Sequence, residues 1–73
     1  MRQFIIDIYN NRTKKIVREA IKFEGDLQTV KTFALSLAKR LKLADGTAYI
    51  YDRNGYRKGD LHITKVNYQN LQR

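Results

Sequence analysis

Only one stretch of this chain has the apolar spacing of a helix. Leu27, Val30, Ala34, Leu37, Ala38 and Leu41 recur at steps of three, four, three, one and three. That is the stripe of a helix with one buried face. Gly25 permits a sharp turn ahead of it, and Asp26 is placed to cap the first free amides. Phe33 lies at the edge of the stripe. Lys39, Arg40 and Lys42 close it, where cations meet the negative pole of the helix dipole. The spacing predicts a helix over residues 27–42, about 24 Å long at about 1.5 Å per residue. A single one-faced helix needs one apolar sheet face to cover, and the flanking segments must supply it.

Residues 3–9 are β-branched and aromatic and read as a strand. Asn10-Asn11-Arg12-Thr13 carries turn chemistry, because Asn tolerates positive φ and bonds its own backbone. Residues 14–23 read as the returning strand. A two-residue loop at Asn11-Arg12 would set Ile8 opposite Lys15, Ile6 opposite Val17 and Phe4 opposite Glu19. The core side would hold Phe4, Ile6, Ile8, Val17, Ile21 and Phe23. The other side would hold Ile5, Asp7, Tyr9, Lys14, Ile16, Arg18 and Ala20.

Beyond Asp45-Gly46, residues 47–52 alternate with period two. Asn54-Gly55 is the strongest two-residue hairpin signal, since a type I′ turn needs positive φ at both positions. It would set Tyr51 opposite Lys58, Tyr49 opposite Asp60 and Ala48 opposite Leu61, with Ala48, Ile50, Leu61 and Ile63 facing the core. Residues 67–73 read as a polar tail that frays, with Val66 and Tyr68 as an alternative extension of the last strand. The expected fold is α+β: β-β-α-β-β, a four-stranded, largely antiparallel sheet with one helix on one face. All 73 residues are expected to form one domain, because so short a chain buries only about 60% of its unfolded surface.

Composition removes several function classes. With no Cys there is no disulfide, thiolate metal site or cysteine nucleophile. His62 is the only histidine, and Asp7, Asp52 and Asp60 are scattered, so no metal and no cofactor is expected. Asp60 and His62 would share one strand face, where a carboxylate can orient an imidazole. They lack a third partner, and no enzyme is expected. Each glycine has a turn or strand role, and none belongs to a phosphate loop. No apolar run approaches the roughly 18 residues that span a bilayer, so the expected setting is the cytoplasm, away from membranes.

Charge points to a partner. The chain has 15 Lys plus Arg against 7 Asp plus Glu, a formal +8. The second strand runs away from the first hairpin tip and the helix runs back. Arg12, Lys14 and Lys15 should therefore meet Lys39, Arg40 and Lys42 at one end, with Arg53, Arg57 and Lys58 at the other. A one-sided basic end is the footprint of phosphate binding. The uncovered sheet face would carry Tyr9, Tyr49, Tyr51, Tyr56, His62, Arg18 and Lys58, a stacking platform for DNA or RNA. The ordinary alternative is a solvated face, since Tyr beside Lys is a common cross-strand pair. A third reading is a protein-binding module. It would be an inhibitor or adaptor, as in a phage or mobile element, docking an acidic protein surface or a second copy through Ile5 and Ile16.

Overall fold

The computed structural model describes residues 2–69. The chain runs β1 (Arg2–Asn10), β2 (Lys15–Gly25), α1 (Leu27–Arg40), β3 (Asp45–Asp52), α2 (Arg53–Lys58) and β4 (Thr64–Gln69). The four strands form one antiparallel sheet in the order β2-β1-β3-β4. The α+β class and the open antiparallel sheet are as expected, but a second, short helix joins the first.

α1 forms where the stripe placed it and ends two residues early. The Asp26 carboxylate accepts from the Thr29 backbone amide at 2.7 Å, and hydrogen bonding from the Thr29 side chain, then from its amide, holds its pKa below the usual carboxylate value. Val30, Ala34 and Ala38 are wholly buried, with Leu27, Leu37 and Leu41 partly buried around them. Two alanines at the centre let the helix backbone approach the sheet closely, leaving the leucines to seal the rim. Phe33 stacks on Phe23 of β2, with ring centroids 4.8 Å apart.

Under α1 lie Phe4, Ile6, Ile8, Ala48, Ile50, Leu43 and Tyr68. The core side expected of the first hairpin is therefore correct, with Val17, Ile21 and Phe23 packed against it. The pairing is not as expected. Phe4 faces Phe23, Ile6 faces Ile21 and Ile8 faces Arg18, with register shifts on both sides of Ile8. The loop is four residues, 11–14, ending on Lys14 at φ 58°. Asn10 organises it: its side-chain oxygen accepts from the Arg12 amide at 2.9 Å, an Asx turn. The shifts let β2 keep Val17, Ile21 and Phe23 inward despite the longer loop.

The second half departs further. Asn54-Gly55 is not a hairpin turn but the start of α2. The Asp52 carboxylate caps that helix by accepting from the Asn54 amide at 3.2 Å. Gly59, at φ 79°, closes it. Asp60 N–H then donates to Gly55 C=O and Gly59 N–H to Tyr56 C=O. A cap on each side outcompetes the hairpin dipeptide between them. The partner strand therefore lies later. Val66 faces Ala48 and Tyr68 faces Gly46, so the strand extension through Val66 and Tyr68 is the arrangement adopted. Leu61 is 87% exposed and Ile63 44% exposed, where both were expected inside. Of the segment expected to fray, 67–69 belongs to β4 and 70–73 lies outside the described residues.

Candidate functional site

The basic end is assembled by the first hairpin tip and the end of α1. The Asn11 backbone amide donates to the Asp45 carbonyl at 3.0 Å. The Asn11 side-chain amide donates to Thr47 Oγ1 at 3.0 Å, and that hydroxyl donates on to Asn67 Oδ1 at 2.9 Å. This chain of bonds ties the tip across β3 to β4, and it sits beside the connection that leaves α1. Arg12, Lys14 and Lys15 on the tip are thus placed at the same end as Lys39, Arg40 and Lys42. All six are exposed. Among the described residues, Arg12, Lys14, Lys15, Lys39 and Arg40 make no ion pair, and Asp45 is the nearby acid. α1 also points its negative pole here, which favours cations at this end.

Arg18 lies farther down β2, in the shifted stretch. It is exposed, and its guanidinium donates to the Val17 carbonyl at 2.8 Å. Lys58 is not opposite Tyr51 as expected. It ends α2, at the far end with Arg53 and Arg57. There Arg2 pairs with Asp52 at 3.9 Å, Gln3 donates to Glu24, and Arg53 donates to Gln3. The two ends thus differ: the far one mixes charges, while the tip end is dominated by cations.

The sheet face away from α1 holds the tyrosines. Tyr9 and Tyr49 meet edge to face with centroids 5.3 Å apart. Tyr49 contacts His62 at 4.9 Å, His62 contacts Tyr51 at 6.2 Å, and Tyr51 contacts Tyr56 at 5.0 Å. These five partly exposed rings make a row from the basic end toward α2. This face is not bare, which corrects the expectation of an uncovered sheet. α2 lies over its far half and leaves Ile5 only 5% exposed. Asp7 is buried there at 7% exposure, accepting from the Ala20 amide at 2.9 Å and the Tyr56 hydroxyl at 3.3 Å. Burial and the Asp7 charge raise the pKa of Tyr56, and the same two causes raise that of Tyr51.

The Asp60–His62 pair is not formed as expected. Both residues lie in the irregular segment before β4, and no hydrogen bond joins them among the described residues. His62 instead packs on Tyr49 and Tyr51. Two residues on the tyrosine face escaped the sequence reading, Lys65 opposite Tyr49 and Asn67 opposite Thr47. The period-two alternation of residues 64–68 was the signal available for them. Comparison with protein-family models, with curated proteins and with solved structures found no match.

Proposed function

We propose that this protein is a small non-enzymatic binding module that grips nucleic-acid phosphates with its basic end. The observation that carries the reading is the tie of Asn11 to Asp45 and Thr47. It joins two cation groups, distant in sequence, into one surface. Exposed Arg and Lys on an ordered support displace counterions from a phosphate backbone, and binding then weakens as salt rises. The protein-binding alternative needs apolar surface on the tyrosine face. Cover of Ile5 by α2 reduces that surface, leaving Ile16 at 44% exposure, with Leu61 and Ile63 exposed on either side of His62 as the apolar groups that favour this second reading. A cytoplasmic setting fits this reading, and no described helix is long and apolar enough to cross a membrane.

The test is a salt titration of binding to a labelled duplex. Changing Arg12, Lys39 and Arg40 to Gln should weaken binding and flatten the log–log salt slope by about 0.9 for each phosphate no longer neutralised. Wild-type protein that binds neither duplex nor single strand at low salt would end the nucleic-acid reading.

A further inference from the structure

We infer that the nucleic acid this module takes is single-stranded, with its phosphates on the basic end and its bases on the tyrosine row. The inference rests on the phosphate-binding reading and adds a substrate class to it. The row starts next to the hairpin tip: Tyr9 is the residue before Asn10, and Tyr49 sits diagonally across from it on β3. A strand anchored by Arg12, Lys14 and Lys15 therefore meets aromatic rings as soon as it leaves the cations. In a duplex the faces of the bases are occupied by their neighbours. Only an unstacked base can lie on a side-chain ring.

Ring geometry limits how many bases fit. Tyr9 and Tyr49 are at 88° to each other, Tyr49 and His62 at 61°, Tyr51 and His62 at 87°, and Tyr51 and Tyr56 at 76°. Neighbouring rings at such angles cannot both lie flat to one strand, so only alternate rings offer a face. That leaves room for about two or three bases, the number an aromatic-bearing four-stranded sheet stacks. The charges favour the ligand at the basic end of the row and disfavour it at the far end, where the Asp7 and Glu19 charges act on Tyr56. Lys65 stands opposite Tyr49. The carboxylate beneath the row, Asp7, is buried and engaged by Ala20 and Tyr56.

The experiment measures fluorescence anisotropy with labelled oligo-dT, oligo-U and a mixed-sequence duplex, each about 12 nucleotides long and at two salt concentrations. Wild type should bind a single strand more tightly than the duplex. Binding of either oligo-dT or oligo-U supports the inference, and a preference for oligo-U would indicate contact with the 2′-hydroxyl. Tyr49→Leu should lose on the order of 5- to 150-fold on the single strand with an unchanged salt slope. Tyr49→Phe, which keeps the ring, should retain binding. Tyr9→Leu, at the end of the row, repeats the test should Tyr49→Leu fail to fold by circular dichroism. Unchanged single-strand binding in folded Tyr9→Leu and Tyr49→Leu would overturn the inference. If the Arg12, Lys39 and Arg40 variant still lost affinity, the phosphate reading would stand alone. No binding of any probe by wild type overturns both.

Discussion

The chain changes direction after β1 and again after β3, and in both places Asn stands at or just past the end of the strand. After β1, Asn10 accepts from the amides that follow and the chain reverses into β2. After β3, Asn54-Gly55 is drawn into a helix instead, and eleven residues, 53–63, pass before β4 begins. The local signal was stronger in the second place. What differed was the pair of caps at Asp52 and Gly59, together with the demand from the rest of the molecule. β1 left a buried Ile5 that needed cover from α2, and Gly46 left a hollow that Tyr68 fills. Long-range packing chose the later strand and the capped helix, overriding a good turn dipeptide.

The largest expected effect separates the two strand assignments outright. Ile50 is wholly buried, whereas Leu61, expected beside it, is 87% exposed. Ile50→Ala should cost about 2–5 kcal/mol in a denaturant titration. Leu61→Ala should stay within about 0.5 kcal/mol. Comparable losses would restore the early strand.

The Gly46 hollow is tested next. A Cβ there would stand 2.5 Å from Tyr68 Cε2 and 2.7 Å from the Tyr9 carbonyl oxygen. Because backbone cannot yield as a flexible side-chain tip can, Gly46→Ala should destabilise by about 1–3 kcal/mol. A neutral result would place Tyr68 elsewhere.

A glycine pair then sharpens the reading of α2. Gly59 holds φ 79° with open space around it. Gly59→Ala should therefore cost about 1 kcal/mol through backbone strain alone. Gly55 lies inside the helix, where alanine is the better former, and its Cβ would stand 3.3 Å from Asp60 Oδ2, an exposed side-chain tip that can yield, so Gly55→Ala should be neutral or stabilising by up to about 1 kcal/mol. A hairpin turn at Asn54-Gly55 would reverse the two, and thermal melts of both variants decide.

The smallest change concerns Tyr68, whose buried hydroxyl has no hydrogen-bond partner among the described residues. Tyr68→Phe removes an unpaired polar group, so stability at neutral pH should hold or rise by about 1 kcal/mol. Burial also pushes the phenol from 10.0 up to about 12. The unfolded chain then gives up this proton first, so stability is level below pH 10 and falls from there toward pH 12. Tyr68→Phe should lessen that alkaline fall, as read by urea titrations across the range. An identical fall in the variant would assign it to other groups.

The parts legible in the sequence were those settled by neighbours a few residues apart. Asp26, the stripe from Leu27 to Leu41 and the inward set of the first hairpin all depend on local spacing. The common placement of the hairpin tip and the end of α1 followed from chain direction alone, and the Asn11–Asp45 bond fits it. The β1–β2 register was not legible. It rests on Ala20 taking φ 57° and donating to Asp7, which no pattern of apolar residues announces. Tyr56 and His62 do join Tyr49 and Tyr51, but from α2 and an irregular segment, not from a paired strand. The sequence carried the residue types of that row and left their route to it undetermined.

The register shifts in β2 also bear on self-association. β2 and β4 are the outer strands of the sheet. A stack that grows by adding strands needs two straight borders, one to receive and one to be received. β2 is broken on both sides of the residue facing Ile8, and Ala20 turns the backbone to positive φ midway along it. Such a border offers an incoming strand no continuous ladder. Edge-to-edge pairing through β4 would therefore stop at two copies, and the sheet has a built-in brake against open-ended polymer growth.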